Sequence, residues 1–226
     1  MKRFILASVI VVWLLPSLSR GAQRSFITAD ASPYTRFELG PTFLQDGEIT
    51  KFTGFPNGNN ISYDVGFAFD AAIGYAFNKW VSVEGEFGWN GATMNHVQGI
   101  QESDTLLYNA PFLANVVLQY PIKRTRLIPY LGGGVGGSVS VFDTDLFSNG
   151  AVSIVGSDAQ VVFAYQAFAG LRVEINEQMS AGIGYKYFAT SDPTFSFDSA
   201  FGGPNLDLGI SGARTHMVLF SFNLRF

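Results

Sequence analysis

Read backward from its final residue, the chain places an apolar side chain at every second position. Phe226, Leu224, Phe222, Phe220 and Val218 alternate with Arg225, Asn223, Ser221 and Leu219. A two-residue period belongs to a strand with one apolar face. The pattern recurs upstream, so the sequence has to be accommodated as a set of amphipathic strands.

Residues 34–43 set Phe37, Leu39, Pro41 and Phe43 against Arg36, Glu38, Gly40 and Thr42. Residues 63–77 are the most regular, with Val65, Phe67, Phe69, Ala71, Ile73, Tyr75 and Phe77 opposing Asp64, Gly66, Ala68, Asp70, Ala72, Gly74 and Ala76. Similar segments cover 81–89, 106–120, 128–141, 161–175, 179–189 and 214–226. Most reach the 9–11 residues that a tilted strand needs to cross a bilayer. The connections alternate in length. Residues 78–80, 121–126 and 176–178 are short turns, whereas 44–62, 90–105, 142–160 and 190–213 are long and rich in Gly, Asn, Asp, Ser and Pro. Short periplasmic turns alternating with long outer loops are the layout of a bacterial outer-membrane barrel. An even strand number puts both termini on the short-turn side.

The first 22 residues read differently. Lys2 and Arg3 precede an apolar run over residues 4–15, and Pro16 is followed by the small residues Ser17, Ser19, Gly21 and Ala22. This is the form of an export signal, too short to span a membrane as a helix. A small-x-small cleavage pattern fits both 17–19 and 19–21. Residues 23–226 are then a single domain by length. There is no cysteine, so export serves no disulfide framework. The net charge of -4 and a pI near 5.1 argue against a nucleic-acid partner.

Alternation alone does not say which face points inward; volume does. Hydrophobic residues make up 47% of the chain, with 22 Phe, and eight strands enclose a bore just wide enough for side chains to fill it. The bulky row is too large for that bore, whereas the opposite row mixes charges with Gly, Ala and Ser. The bulky face therefore looks outward, where only lipid tolerates it. Aromatics gather at the segment ends: Tyr34, Tyr75, Phe77, Trp80, Tyr120 and Phe226 toward the turns, Phe43, Tyr63, Trp89 and Tyr187 toward the loops. Interfacial girdles explain this, as does the general preference of Tyr and Phe for strands. The fold expected is all-β, an eight-stranded antiparallel up-and-down transmembrane β-barrel that needs no disulfide because closure pairs every backbone group.

The segment Pro129-Tyr130-Leu131-Gly132-Gly133-Gly134-Val135-Gly136 resembles the Pro-Tyr-x-Gly-x-Gly-x-Gly strand of OmpA-like and opacity-type outer-membrane barrels. Residues 163–172 and 182–188 are similar to the later hairpin of that family, and Leu224-Arg225-Phe226 to its end. No counterpart of the peptidoglycan-binding domain of full-length OmpA follows. The resemblance implies an outer-membrane location. It also implies contact with outer-membrane lipid and lipopolysaccharide, and a C-terminal assembly signal (Phe222, Leu224, Phe226) read by the barrel-assembly machinery.

Arg36, Glu38, Asp70, Glu84, Glu86, Arg172, Glu174, Lys186 and Arg225 all fall on inward positions. Charges in a low-dielectric tube must pair. They form either a network that seals the bore or a gate in which Arg36 or Arg172 re-pairs among Glu38, Glu84 and Glu86. The glycine run 132–137 lacks the Lys-Ser/Thr of a phosphate loop and sits in a strand, where it relieves crowding. The only histidines are His96, in the second long loop, and His216, on the outward register of the last strand. Neither has a hydrolase-like serine, so no catalytic residue, cofactor or metal site is expected. Asp143, Asp145, Asp158, Asp192, Asp198 and Asp207 read as solvated loop charge without calcium-loop spacing. Phe195, Phe197 and Phe201 either fold over the mouth or dock a surface ligand. The expected role is a non-enzymatic envelope protein acting in membrane integrity or surface interaction. A low-conductance channel is the alternative, and lipid A modification comes third.

Overall fold

The computed structural model describes residues 31–52, 59–97, 101–103, 105–122, 124–148, 153–197 and 206–226. The expected export signal, residues 1–22, lies outside them. Within them the strands are β1 (Ser32–Leu44), β2 (Gly47–Phe52), β3 (Asn60–Tyr63), β4 (Gly66–Ala76), β5 (Val81–Val97), β6 (Gln101–Ser103) and β7 (Leu106–Gln119). They continue with β8 (Leu127–Ser148), β9 (Ser153–Glu174), β10 (Met179–Thr190), β11 (Thr194–Phe197), β12 (Leu206–Ile210) and β13 (Arg214–Arg225). The long strands β1, β4, β5, β7, β8, β9, β10 and β13 pair antiparallel in that order. The ring closes where β1 meets β13, from Tyr34↔Arg225 to Leu44↔Thr215. This is the eight-stranded up-and-down barrel expected from the period.

Burial follows the alternation. Phe37, Leu39, Phe67, Phe69, Ile73, Phe112, Val116, Leu131, Val135, Phe163, Ile183 and Phe220 are exposed on the outside, whereas Arg36, Glu38, Asp70, Glu84, Glu86 and Lys186 are buried inside. The bore also holds bulky apolar groups. Tyr34, only 3% exposed, together with Tyr130, Phe168, Phe188, Leu113 and Met217, points inward. Tyr34 is thus no part of an outer girdle. Inward glycines make the room: a Cβ at Gly74 would strike the Tyr34 ring, one at Gly132 the Phe168 ring, and one at Gly134 the Asn115 side chain.

Two of the short turns are built alike. Asn78 Oδ1 accepts from the backbone N–H groups of Trp80 (2.7 Å) and Val81 (3.0 Å), and Asn176 Oδ1 from those of Gln178 (2.9 Å) and Met179 (2.8 Å). The side-chain carbonyl replaces a backbone partner and tightens the bend.

The long connections are not loops in the ordinary sense. β8 and β9 each run 22 residues, about 50 Å along the axis at a ~45° tilt against an apolar band of roughly 25 Å. Their upper halves stand clear of that band. β5 also extends to Val97, so His96 lies in a strand rather than a loop. Above the bore β11 pairs β12, β12 pairs β2, β2 pairs β3, and β3 joins β5. These strands enclose a second core that includes Ile49, Ile61, Met94, Leu107, Phe142, Phe195 and Leu208. Tyr63, expected in an outer girdle, instead packs against this core. Phe195 and Phe197 fold inward onto Phe142, with ring centroids 5.6 and 5.9 Å away. Phe201 and Asp198 lie outside the described residues.

Candidate functional site

The inward charges converge because the register stacks them. β1 places Glu38 beside Asp70 of β4, and small residues stand opposite the other carboxylates, with Glu84 across from Gly74 and Glu86 across from Ala72. Gly88 is needed where it is, since a Cβ there would collide with the Asp70 carboxylate.

Two cations organise four carboxylates. The Arg36 guanidinium meets Glu84 at 2.5 Å and Glu86 at 2.9 Å and also contacts Glu38. The Lys186 ammonium lies 2.7 Å from Asp70, 2.9 Å from Glu86 and 3.1 Å from Glu38. Glu86 and Glu38 are therefore shared between both cations, which makes one network of two clusters. Neutral groups complete it. The Tyr34 hydroxyl donates to Glu84 at 2.7 Å, and Asn115 and Gln166 donate amide hydrogens to Glu86 at 2.9 and 3.0 Å. The Phe168 ring lies under both cations, 5.4 Å from the Arg36 guanidinium carbon and 5.8 Å from the Lys186 nitrogen, a favourable contact when water is excluded.

The remaining inward charges lie elsewhere. Arg172 donates to Asn223 at 3.3 Å and stacks 4.3 Å over Tyr130. Among the described residues it forms no ion pair with Glu38, Glu84 or Glu86. Glu174 is buried near the turn end, and Arg225 donates to Ser32. Phe222 is exposed on the outer face of β13 and Leu224 is half-buried there, while Phe226 is exposed just past the end of the strand. Sequence reasoning missed Tyr34, Asn115, Gln166 and Phe168 as partners of the cluster. The inward parity of Asn115 and Gln166 was the available signal, whereas the aromatic pair broke the rule that bulk faces out.

Above the cluster the bore is polar. Among the described residues neither polar atom of the Asn90 amide has a hydrogen-bond partner, and the same holds for Asn109 Nδ2, Thr42 Oγ1 and Ser138 Oγ. Higher still, the apolar core fills the space between the upper strands. Its rim is ionic. Lys51 donates to Asp207 at 2.6 Å and Ser196 Oγ to the same carboxylate at 3.0 Å. Those hydrogen bonds hold Asp207 below the usual carboxylate range. For Asp158 partial burial acts upward but is outweighed by hydrogen bonds from the Ser196 backbone N–H and the Gln160 amide, so this carboxyl too sits low. His216 lies on the outside, held by Gln45 at 2.6 Å and the Tyr185 hydroxyl at 2.5 Å. Among the described residues no group of His, Asp and Glu is arranged to hold a metal.

Known proteins share this architecture. OprG of Pseudomonas aeruginosa aligns with a TM-score of 0.64 at 17% identity, over 90% of this chain and 99% of that one. Neisserial surface protein A gives 0.54 at 12% identity, over 88% and 100%. AlkL, solved in lipid bilayers, gives 0.52 at 17% identity, over 92% and 94%. At such identities the likeness is one of fold. A comparison with curated protein sequences returns no match. The model of the outer membrane protein beta-barrel domain matches residues 20–226. With the closed ring and outward apolar band, that match assigns the chain to a family of bacterial outer-membrane proteins: it belongs to the outer membrane protein beta-barrel domain family.

Proposed function

We propose that this protein is a non-enzymatic envelope component with a sealed bore, which displays a folded β-layer at the cell surface for structural or surface-interaction roles. The observation that carries this reading is double closure. A buried network of two cations and four carboxylates occupies the bore, and a packed apolar core lies above it. Ordered ion pairs leave little freedom for a permeant ion, and an apolar core resists wetting. Planar-bilayer recording of the refolded protein tests this: silence at every voltage is expected, and steady unitary conductance overturns it.

A low-conductance channel is the second reading. It is favoured by the polar atoms of Asn90, Asn109, Thr42 and Ser138 above the cluster that have no hydrogen-bond partner among the described residues, which suit a wetted segment of bore. Glu84→Ala separates the two, since weakening the Arg36 contact raises conductance if the cluster is the seal. A lipid A mass spectrum unchanged by overexpression is the outcome expected of a non-enzymatic barrel.

A further inference from the structure

The outer wall of the barrel is not uniform. At the short-turn end, where β5 begins and β7 and β8 meet, an apolar groove of about 360 Å³ is lined by Trp80, Leu118, Tyr120, Pro129 and Leu131. Trp80 and Tyr120 form one wall, with ring centroids 5.1 Å apart. One step further from the turns on the outward face of β8 stands Gly133, opposite the small Ala167 of β9. A Cβ at Gly133 would meet only one atom, the Gln166 carbonyl oxygen. The depression therefore continues as a shallow furrow running toward mid-bilayer.

Charge marks the other end of the groove. Lys79 is exposed, with its ammonium 5.1 Å from the centre of the Trp80 ring. The adjoining turn between β7 and β8 carries exposed Arg124 and Arg126. Among the described residues none of these three cations forms an ion pair. The remaining short turn, between β9 and β10, carries exposed Glu177 instead. At the short-turn end of a chain of net charge -4, the exposed cations that lack an ion pair among the described residues thus gather in the sector that holds the groove.

An aromatic-walled apolar furrow topped by unneutralised cations at headgroup level matches one kind of molecule. We propose that this sector binds an anionic glycerophospholipid of the periplasmic leaflet. One acyl chain lies in the groove over Pro129 and Leu131, and the phosphate sits between Lys79 and the Arg124–Arg126 turn. A zwitterionic phospholipid offers the same tail but no net charge to the cations. Lipopolysaccharide belongs to the opposite leaflet. The assignment rests on the membrane-spanning barrel and is independent of whether the bore conducts.

The test uses Trp80 as reporter. A Trp89→Phe variant of residues 23–226, in which Trp80 is the one tryptophan left, is folded into phosphatidylcholine vesicles. These contain a small fraction of either phosphatidylglycerol or phosphatidylcholine brominated along its acyl chains. Quenching by the brominated anionic lipid is expected to report about fivefold local enrichment over its bulk fraction, with none for brominated phosphatidylcholine. Adding Lys79→Gln, Arg124→Gln and Arg126→Gln should make the two lipids equal. Pro129→Phe, which fills the groove, should reduce quenching by both, with heat-modifiable gel migration reporting the folded barrel. Equal quenching by the two lipids before the charge substitutions overturns the proposal. So does an anionic preference that survives them. If Pro129→Phe does not fold, the charge variants alone decide.

Discussion

The membrane-embedded part of the barrel and the β-layer above it are built from the same strands with opposite chemistry. On β8 the change occurs within three residues. Below it, Leu131 and Val135 face out while Gly132, Gly134, Ser138 and Ser140 face in; above Val141, Phe142 turns inward and Asp143 and Asp145 outward. β5 does the same, passing from inward Asn90 to inward Met94 with Thr93 and Asn95 outside. The backbone parity holds across both changes, from Ser140 to Asp143 and from Asn90 to Asn95, so geometry cannot be the cause. What differs is the medium: lipid stabilises an apolar exterior and leaves the interior to polar groups, whereas water requires an apolar interior. The lower part is held by an ion-paired network in a confined bore, and the upper part by ordinary apolar burial.

That contrast breaks most readily at the cluster. Lys186→Met removes the cation shared by Asp70, Glu86 and Glu38, and stranding buried carboxylates costs about 3–5 kcal/mol. A lower urea midpoint in micelles is expected, partly restored by Asp70→Asn; an unchanged midpoint would show that the carboxylates do not depend on the pair. In the upper part, Phe142→Ala leaves a cavity worth about 3 kcal/mol. Its effect should be confined there, as faster protease cleavage of the outer strands while the heat-modifiable barrel persists. Loss of the barrel as well would mean that the two parts fold as one.

The swap itself is tested on one strand and one face. Val135 is 57% exposed in the apolar band, and Val135→Lys should destabilise by about 2 kcal/mol. Asp143→Lys, further up β8 beyond the swap, should shift the midpoint by less than about 0.5 kcal/mol. Equal effects would put the boundary elsewhere. The smallest effect concerns the rim. Asp207 is held low by its hydrogen bonds with Lys51 and Ser196. Its contribution is complete above an unfolded value of about 4 and is lost as pH falls through the lower folded value. Protease sensitivity of β11 and β12 should therefore rise only at acidic pH, and Lys51→Gln should shift that rise to higher pH.

The barrel was legible from the sequence because a period of two survives without knowledge of partners. Every inward charge, from Arg36 to Lys186, could be assigned by parity alone. Tyr34 was misread because its position at a strand end matched a girdle, while its inward parity was the better guide. The separation of Arg172 from the Arg36 cluster depends on stagger around the ring, which a single strand does not encode. The β-layer was hidden for another reason. β3 and β11 are four residues each, too short for alternation to stand out. Their neighbours come from distant connections, as when β12 pairs β2. The Gly-, Asn- and Asp-rich composition of those segments described their surface and masked their interior.

The seam between β1 and β13 carries a final implication. Every other junction in the ring joins barrel strands that are consecutive along the chain. This one unites segments from opposite extremes of the domain, from Tyr34↔Arg225 to Leu44↔Thr215. Until it forms, two open edges remain that hydrocarbon cannot satisfy. Half-built intermediates thus gain little from entering the bilayer, and insertion becomes a single committed event that waits for the circle to shut.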